Sequence, residues 1–253
     1  IYKTQHTIVD DSETIDNFII KTIYDDKLYA LSNLELNKSE YIEKPDNTIK
    51  EITISAVGDC TLGTDESYEY KNNFLDVFHS NNDDYSYFFR NVYDIFSNDN
   101  LTIANLETTL TNATKKQQKK FRFRGYPSFA NILTESSIEA VNLANNHTYD
   151  YLQQGFTDTK ANLNESDITY FSEESKIFES NGIKIGLLGY LSWSSNTAIK
   201  NNIRNSITTL KSQGCQLVII SFHWGKEYSF YPNQVQKDLG RFSIDSWANS
   251  RKR

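Results

Sequence analysis

Four short apolar runs in this chain each end in a carboxylate, a carboxamide or an imidazole, and longer segments of helical character separate them. ITISAVGDCTLG carries Asp59 just past its strand, and LTIANLETTL carries Asn105 and Glu107. AVNLANNHTYD delivers Asn145, Asn146, His147 and Asp150, and LVIISFHWGKEY delivers His223 and Glu227. β-rich runs alternating with helical segments are the pattern of βαβ units, whose strands lie parallel. Parallel strands bring their carboxyl ends to one edge, where open α/β sheets bind ligands. The pattern therefore predicts an α/β fold with one polar crevice. Hard oxygen donors mixed with imidazole suit Mn, Fe or Zn better than Ca.

The expected strands are Ile52–Val57, Leu101–Leu106, Ala140–Ala144, Ile168–Phe171, Ile183–Leu188 and Leu217–Phe222. Helical spacing or good helix formers occupy Tyr85–Ser97, Ser128–Glu135, Gln153–Asn164, Asn201–Gln213 and Asn233–Ala248. Residues 1–50 read as an arm or linker, with apolar pieces no longer than Phe18–Ile20 and Leu28–Leu34 and a turn at Pro45-Asp46-Asn47. Residues 51–253 read as the domain. Hydrophobic residues make up 38% of the chain against 23% charged, enough apolar surface for a sizeable core. The net charge of −7 excludes a general nucleic-acid-binding face, which must be basic to neutralise phosphates.

No run approaches the roughly 18 apolar residues that would span a bilayer. The chain contains no Met and opens on Ile1, so a processed or trimmed form is expected, with any signal or anchor lying ahead of this sequence. Cys60 follows the first strand and Cys215 precedes the last. Those are opposite ends of a parallel sheet, so both thiols are expected to be free.

Taken singly, each polar residue has a plain structural explanation. An Asp after a strand is most often a turn or cap, Asn145-Asn146 is a common turn pair, and a lone His between Phe222 and Trp224 is most often a packed imidazole. Their joint placement at successive strand ends is what singles them out.

The same residues carry a resemblance. VGDCTLG, NLETTLT, FRFRGYPSF, VNLANNHTYDYLQQGFTDTKANL and ISFHWGKEYSFYPNQVQKDLGRFSID resemble, in order and spacing, the CapA-type proteins of poly-γ-glutamate capsule biosynthesis, over most of residues 51–246. The resemblance implies a calcineurin-like metallophosphatase αββα sandwich with a dinuclear metal centre. It implies Asp59 on the first metal, Glu107 bridging, Asn146 and His223 on the second metal, and His147 beside the substrate as proton donor. It further implies poly-γ-glutamate or another anionic substrate, other capsule-synthesis membrane proteins as partners, and an extracytoplasmic location with a membrane anchor outside this chain.

Two departures qualify these expectations. Thr61 stands where the wider superfamily has the histidine of Asp-x-His. The chain also ends at SIDSWANSRKR, where the family continues into a histidine-rich loop. The expectation is thus a C-terminally incomplete sandwich that binds divalent metal ions (Mn, Fe or Zn) weakly or not at all.

KKQQKKFRFRGYP concentrates basic residues on an acidic protein, and its alternation suggests a strand with Arg122 and Arg124 on one face. Forked guanidiniums suit carboxylate or phosphate, so these two arginines are the candidate substrate-binding residues; the alternative is a solvated loop. Two functions stay open: a metal-dependent hydrolase or transferase acting on a phosphorylated or γ-glutamyl substrate, and a non-catalytic subunit that binds or exports the anionic polymer. Trp193 and Trp224 read as packing residues.

Overall fold

A computed structural model of the chain describes residues 50–68 and 71–249, and its contacts divide the chain into Ile1–Glu51 and Ile52–Arg253. The expected arm, with its Phe18–Ile20 and Leu28–Leu34 pieces, and the Arg251-Lys252-Arg253 ending lie outside the described residues, Lys50 excepted.

In chain order the elements are β1 (Ile54–Cys60), α1 (Phe74–Ser80), α2 (Tyr93–Phe96), β2 (Leu101–Leu106), β3 (Thr109–Leu110), β4 (Arg124–Gly125), α3 (Ala130–Glu135), β5 (Ala140–Asn142), α4 (Leu152–Glu165), β6 (Thr169–Phe171), β7 (Lys176–Ser180), β8 (Ile183–Leu191), α5 (Thr197–Ser212), β9 (Leu217–His223) and α6 (Gln234–Asn249). A parallel sheet runs β1-β2-β5-β6, and a second sheet runs β7-β8-β9 with β7 antiparallel to β8.

Side-chain alternation explains how the sheets stack. Leu101, Ile103, Ala140 and Phe171 from the first sheet share one buried cluster with Ile183, Ile185 and Leu187 from β8, which makes it the layer between the sheets. The intervening residues Ala104, Leu106 and Val141 face the opposite way, against Phe78, Phe96, Leu133 and Leu163 of α1 to α4. On the far side of the second sheet, Leu188 and Tyr190 pack with Ile203, Ile207 and Leu210 of α5 and Leu239 of α6. The order is helix, sheet, sheet, helix, the αββα layering expected. Each buried aliphatic side chain in these layers contributes about 1.5–3 kcal/mol.

The structure corrects several element assignments. The continuous helix expected at Tyr85–Ser97 is a 3₁₀ turn at Tyr87–Phe89 followed by the four-residue α2. Aromatics are poor helix formers, and tertiary contacts claim them: Phe88 stacks on Phe74 at 4.1 Å and Tyr85 meets Phe78 at 5.2 Å. The basic stretch forms only the two-residue β4. The polar alternation of β7 and the short α1 carry too little hydrophobic periodicity to read from sequence. Trp224 packs as expected, stacked on Phe222 at 4.1 Å, but Trp193 is 60% exposed.

A glycine lets the two sheets approach closely at one point. A Cβ on Gly189 of β8 would lie 2.0 Å from Asn142 Oδ1 of β5, whereas one on Gly58 of β1 would meet nothing within 4 Å. Gly189→Ala is therefore expected to lower unfolding stability by about 1–3 kcal/mol in a urea titration, the usual cost of overpacking. Gly58→Ala should change it by less than about 1 kcal/mol.

Candidate metal centre

The carboxyl ends of β1, β2 and β9 bring Asp59, Glu107 and His223 together, and one ligand atom from each lies within 4.8 Å of the others. Two devices place them, strand phase and a bulge. Along β2, Leu101, Ile103, Asn105 and Glu107 share the inward phase, so the apolar interlayer turns polar at the strand end. On β9, Leu217 and Ile219 pack on that interlayer, and the same phase reaches His223. Asp59 would point the wrong way, because Ile54 and Ala56 already hold the inward phase of β1. A bulge corrects this: Ala56 pairs with Ile103 and Asp59 with Asn105, so two residues of β1 span one of β2. An inserted residue of this kind re-aims the side chains beyond it.

Glu107 and His223 are largely buried, whereas Asp59 is half-exposed. His223 Nδ1 lies 3.3 Å from Asp59 Oδ1, and its Nε2 lies 3.6 Å from Glu107 Oε1. Burial, and then the Asp59 carboxylate, raise the Glu107 carboxyl above its ordinary range. Burial also pushes the neighbouring Cys60 thiol up to about 11, which leaves it protonated and inert.

The donor set fits a divalent cation. Ligand atoms at about 2.0–2.2 Å from one ion lie at most about 4.4 Å apart, so atoms that all fall within 4.8 Å of one another are near enough to close on a single ion. Two carboxyl groups crowded enough to raise one of them are also what a cation would relieve. Among the described residues this is the one such cluster of acids and imidazoles.

His147 follows β5 and faces the same centre, with Nε2 3.7 Å from Glu107 Oε1. Its Nδ1 lies 2.7 Å from Asp150 Oδ2. Asp150 is fully buried; the same oxygen accepts from the Phe123 backbone N–H at 2.6 Å, and Lys119 pairs with the other. An acceptor so held requires the proton of His147 on Nδ1, which turns Nε2 towards the centre. The Phe123 ring lies 4.3 Å from the imidazole and covers one face.

Asn146 is exposed, and its backbone carbonyl accepts from Lys119 at 2.7 Å. The carboxamide that touches the acid and the imidazole is that of Asn105, 2.7 Å from Asp59 Oδ1 and 3.1 Å from His223 Nδ1. The available clue was its position two residues before Glu107, on the same face of one strand. Asp150, three residues after His147, was likewise visible only as another polar residue of the loop.

Arg122 and Arg124 both turn to the segment after β1. Arg122 donates to Ser67 Oγ at 2.7 Å and through its backbone to Asp65 at 2.8 Å, while Arg124 pairs with Glu66 at 2.7 Å and donates to the Ala113 carbonyl. Lys116 also pairs with Glu66 at 2.6 Å and, with help from Arg124, holds that carboxyl below its ordinary range against the effect of burial. The basic stretch is thus clasped to the fold by acids of the same chain.

Comparison with known proteins identifies the family. Residues 53–249 match the family model described as bacterial capsule synthesis protein PGA_cap. The chain is 25% identical over 190 residues to the capsule biosynthesis protein CapA of Bacillus anthracis, covering 64% of this chain and 46% of that protein. It is 27% identical over 183 residues to the PGA biosynthesis protein CapA of Bacillus subtilis (strain 168), covering 64% and 48%. The match thus spans about half the length of those relatives. The family falls in the metallophosphatase-like superfamily, in keeping with the αββα layers. The chain belongs to the bacterial capsule synthesis protein family PGA_cap.

Proposed function

We propose that this capsule-synthesis protein is a metal-dependent hydrolase or transferase acting outside the cell on a phosphorylated or γ-glutamyl substrate. The observation that carries the proposal is the convergence of Asp59, Glu107 and His223 with an imidazole, His147, whose orientation is fixed by Asp150. Asp59, Glu107 and His223 would hold the cation. When bound, a divalent ion supplies charge for the oxygens of the reacting group and acidifies water.

The chain's own residues account for the rest of the step. Protonated His147 gives its Nε2 hydrogen to the leaving oxygen while Asp150 keeps Nδ1–H and steadies the ring's charge. Lys119 shares the Asp150 carboxylate, so the buried acid is paired on both sides. Phe123 shields one face of the ring from water.

The reading as a non-catalytic polymer holder ranks second. It needs Arg122 and Arg124 free for a polyanion, and both guanidiniums are engaged with Asp65, Glu66, Ser67 and Ala113. The extracytoplasmic, membrane-anchored location and association with other capsule-synthesis membrane proteins are proposed from the family resemblance. No helix among the described residues is long and apolar enough to cross a membrane.

With Mn²⁺ supplied, the protein is expected to hydrolyse a generic aryl phosphate, and His147→Ala should lower kcat by about 10²–10⁴-fold while leaving Mn²⁺ uptake in place. Mn²⁺ uptake with no turnover of phosphoesters or γ-glutamyl amides would refute the catalytic reading.

A second test uses Glu107 without metal. Its folded-state carboxyl is raised, so the folded protein holds this proton more tightly than the unfolded chain does. In chelator, stability should fall as pH rises from the ordinary Glu value of about 4.3 through the raised value, then level off. Glu107→Gln should remove that decline, being more stable than the parent at pH 7 and equal to it below about pH 4. Urea titrations across pH would read this, and a parent more stable than the variant at pH 7 would contradict it.

A further inference from the structure

The hydrogen-bond polarity around Asn105 can be deduced, because it is anchored on backbone groups that cannot exchange donor for acceptor. The Ala144 N–H donates to Asn142 Oδ1 at 2.9 Å, which fixes the Asn142 amide hydrogens on its other side. The His147 N–H donates to Asn145 Oδ1 at 3.0 Å, and Asn145 Nδ2 donates to the Leu106 carbonyl at 2.9 Å, which fixes Asn145. Both then donate to Asn105 Oδ1, each at 3.2 Å.

With its oxygen committed to two donors, Asn105 must turn its amide hydrogens to Asp59 Oδ1 at 2.7 Å and His223 Nδ1 at 3.1 Å. All four capacities of this carboxamide are used, and all three asparagines are buried. His223 Nδ1 is consequently an acceptor, and the neutral ring carries its proton on Nε2, towards Glu107.

We propose that Asn105 is an internal competitor for the cation: its two amide hydrogens take up lone pairs on Asp59 and His223 that an ion bound between them would need. Ligation through His223 Nδ1 requires the Asn105 amide to withdraw. Ligation through Nε2 requires a proton on Nδ1, which would face an amide hydrogen. Either route breaks part of a network tied to the backbone by Asn142 and Asn145. Asn105 therefore sets the affinity of the centre downwards and keeps its ligands ordered. The inference rests on the metal-centre reading above.

The test is calorimetric titration of the chelator-treated chain with Mn²⁺, alongside long-range ¹H–¹⁵N spectra of the histidine rings. The parent should show His223 as the Nε2–H tautomer. Asn105→Ala should bind Mn²⁺ at least about tenfold more tightly, from the loss of competing hydrogen bonds, and should release the tautomer preference. A merely structural role would give weaker binding, so weaker or unchanged Mn²⁺ affinity in a folded variant overturns the proposal. Should Asn105→Ala fail to fold, Asn105→Leu, which keeps most of the volume and donates no hydrogen to Asp59 or His223, carries the same expectation. Uptake by neither parent nor variant would refute the metal reading instead. The tautomer spectrum judges the asparagine network on its own: an Nδ1–H ring in the parent overturns it.

Discussion

The inward phase of side chains between two packed sheets is the constraint on which the rest of this structure depends. The alternation that presses Leu101 and Ile103 against Ile185 and Leu187 also carries Asn105 and Glu107 to the strand end, and a slip of one residue would turn the whole set outwards. The apolar interlayer and the polar centre are thus one feature seen at two heights. The bulge in β1 is the one place where phase and chemistry disagreed, and a single extra residue reconciles them.

A polar layer at the top of a sandwich is stable only if it is satisfied, since each unpaired buried group costs about 1–3 kcal/mol. The three asparagines meet that demand by closing on one another and on backbone groups, and Gly189 leaves room for Asn142 where any side chain would intrude. The charges follow the same logic. Lys116, Lys119, Arg122 and Arg124 come from the most basic stretch of an acidic chain, yet they turn inwards to Glu66, Asp150 and Asp65. Their work is to hold the segment that carries Phe123 against His147.

Much of this was legible in the sequence, and the exceptions have physical reasons. Strand-end acids and imidazoles stand out because apolar β-rich runs frame them, so Asp59, Glu107, His147 and His223 were accessible together. The layer order followed from the family resemblance and was met by the packing. Asn105 and Asn145 stand among the strand-end residues of the sequence, but their role, like that of Asn142, does not show there, because asparagine ordinarily reads as a turn residue and its use as a rigid connector depends on partners from other strands. Asp150 was visible as a polar residue, but its role comes from Lys119, Phe123 and His147 converging on it. The arginine pair was visible as chemistry, but its partners Asp65 and Glu66 lie far away in sequence. The aromatic run at Tyr85–Ser97 had helical spacing, and the demands of the core outweighed it.

The most direct measurement is anomalous diffraction from crystals of the chain grown with Mn²⁺. The expected result is a peak bounded by Asp59, Glu107 and His223, at about 2.0–2.3 Å from their ligand atoms, with the Asn105 amide drawn back from at least one of its two partners. Crystals that take up Mn²⁺ elsewhere, or leave that position without a peak while Asn105 stays bonded to both Asp59 and His223, would contradict the assignment of a metal centre to these strand ends.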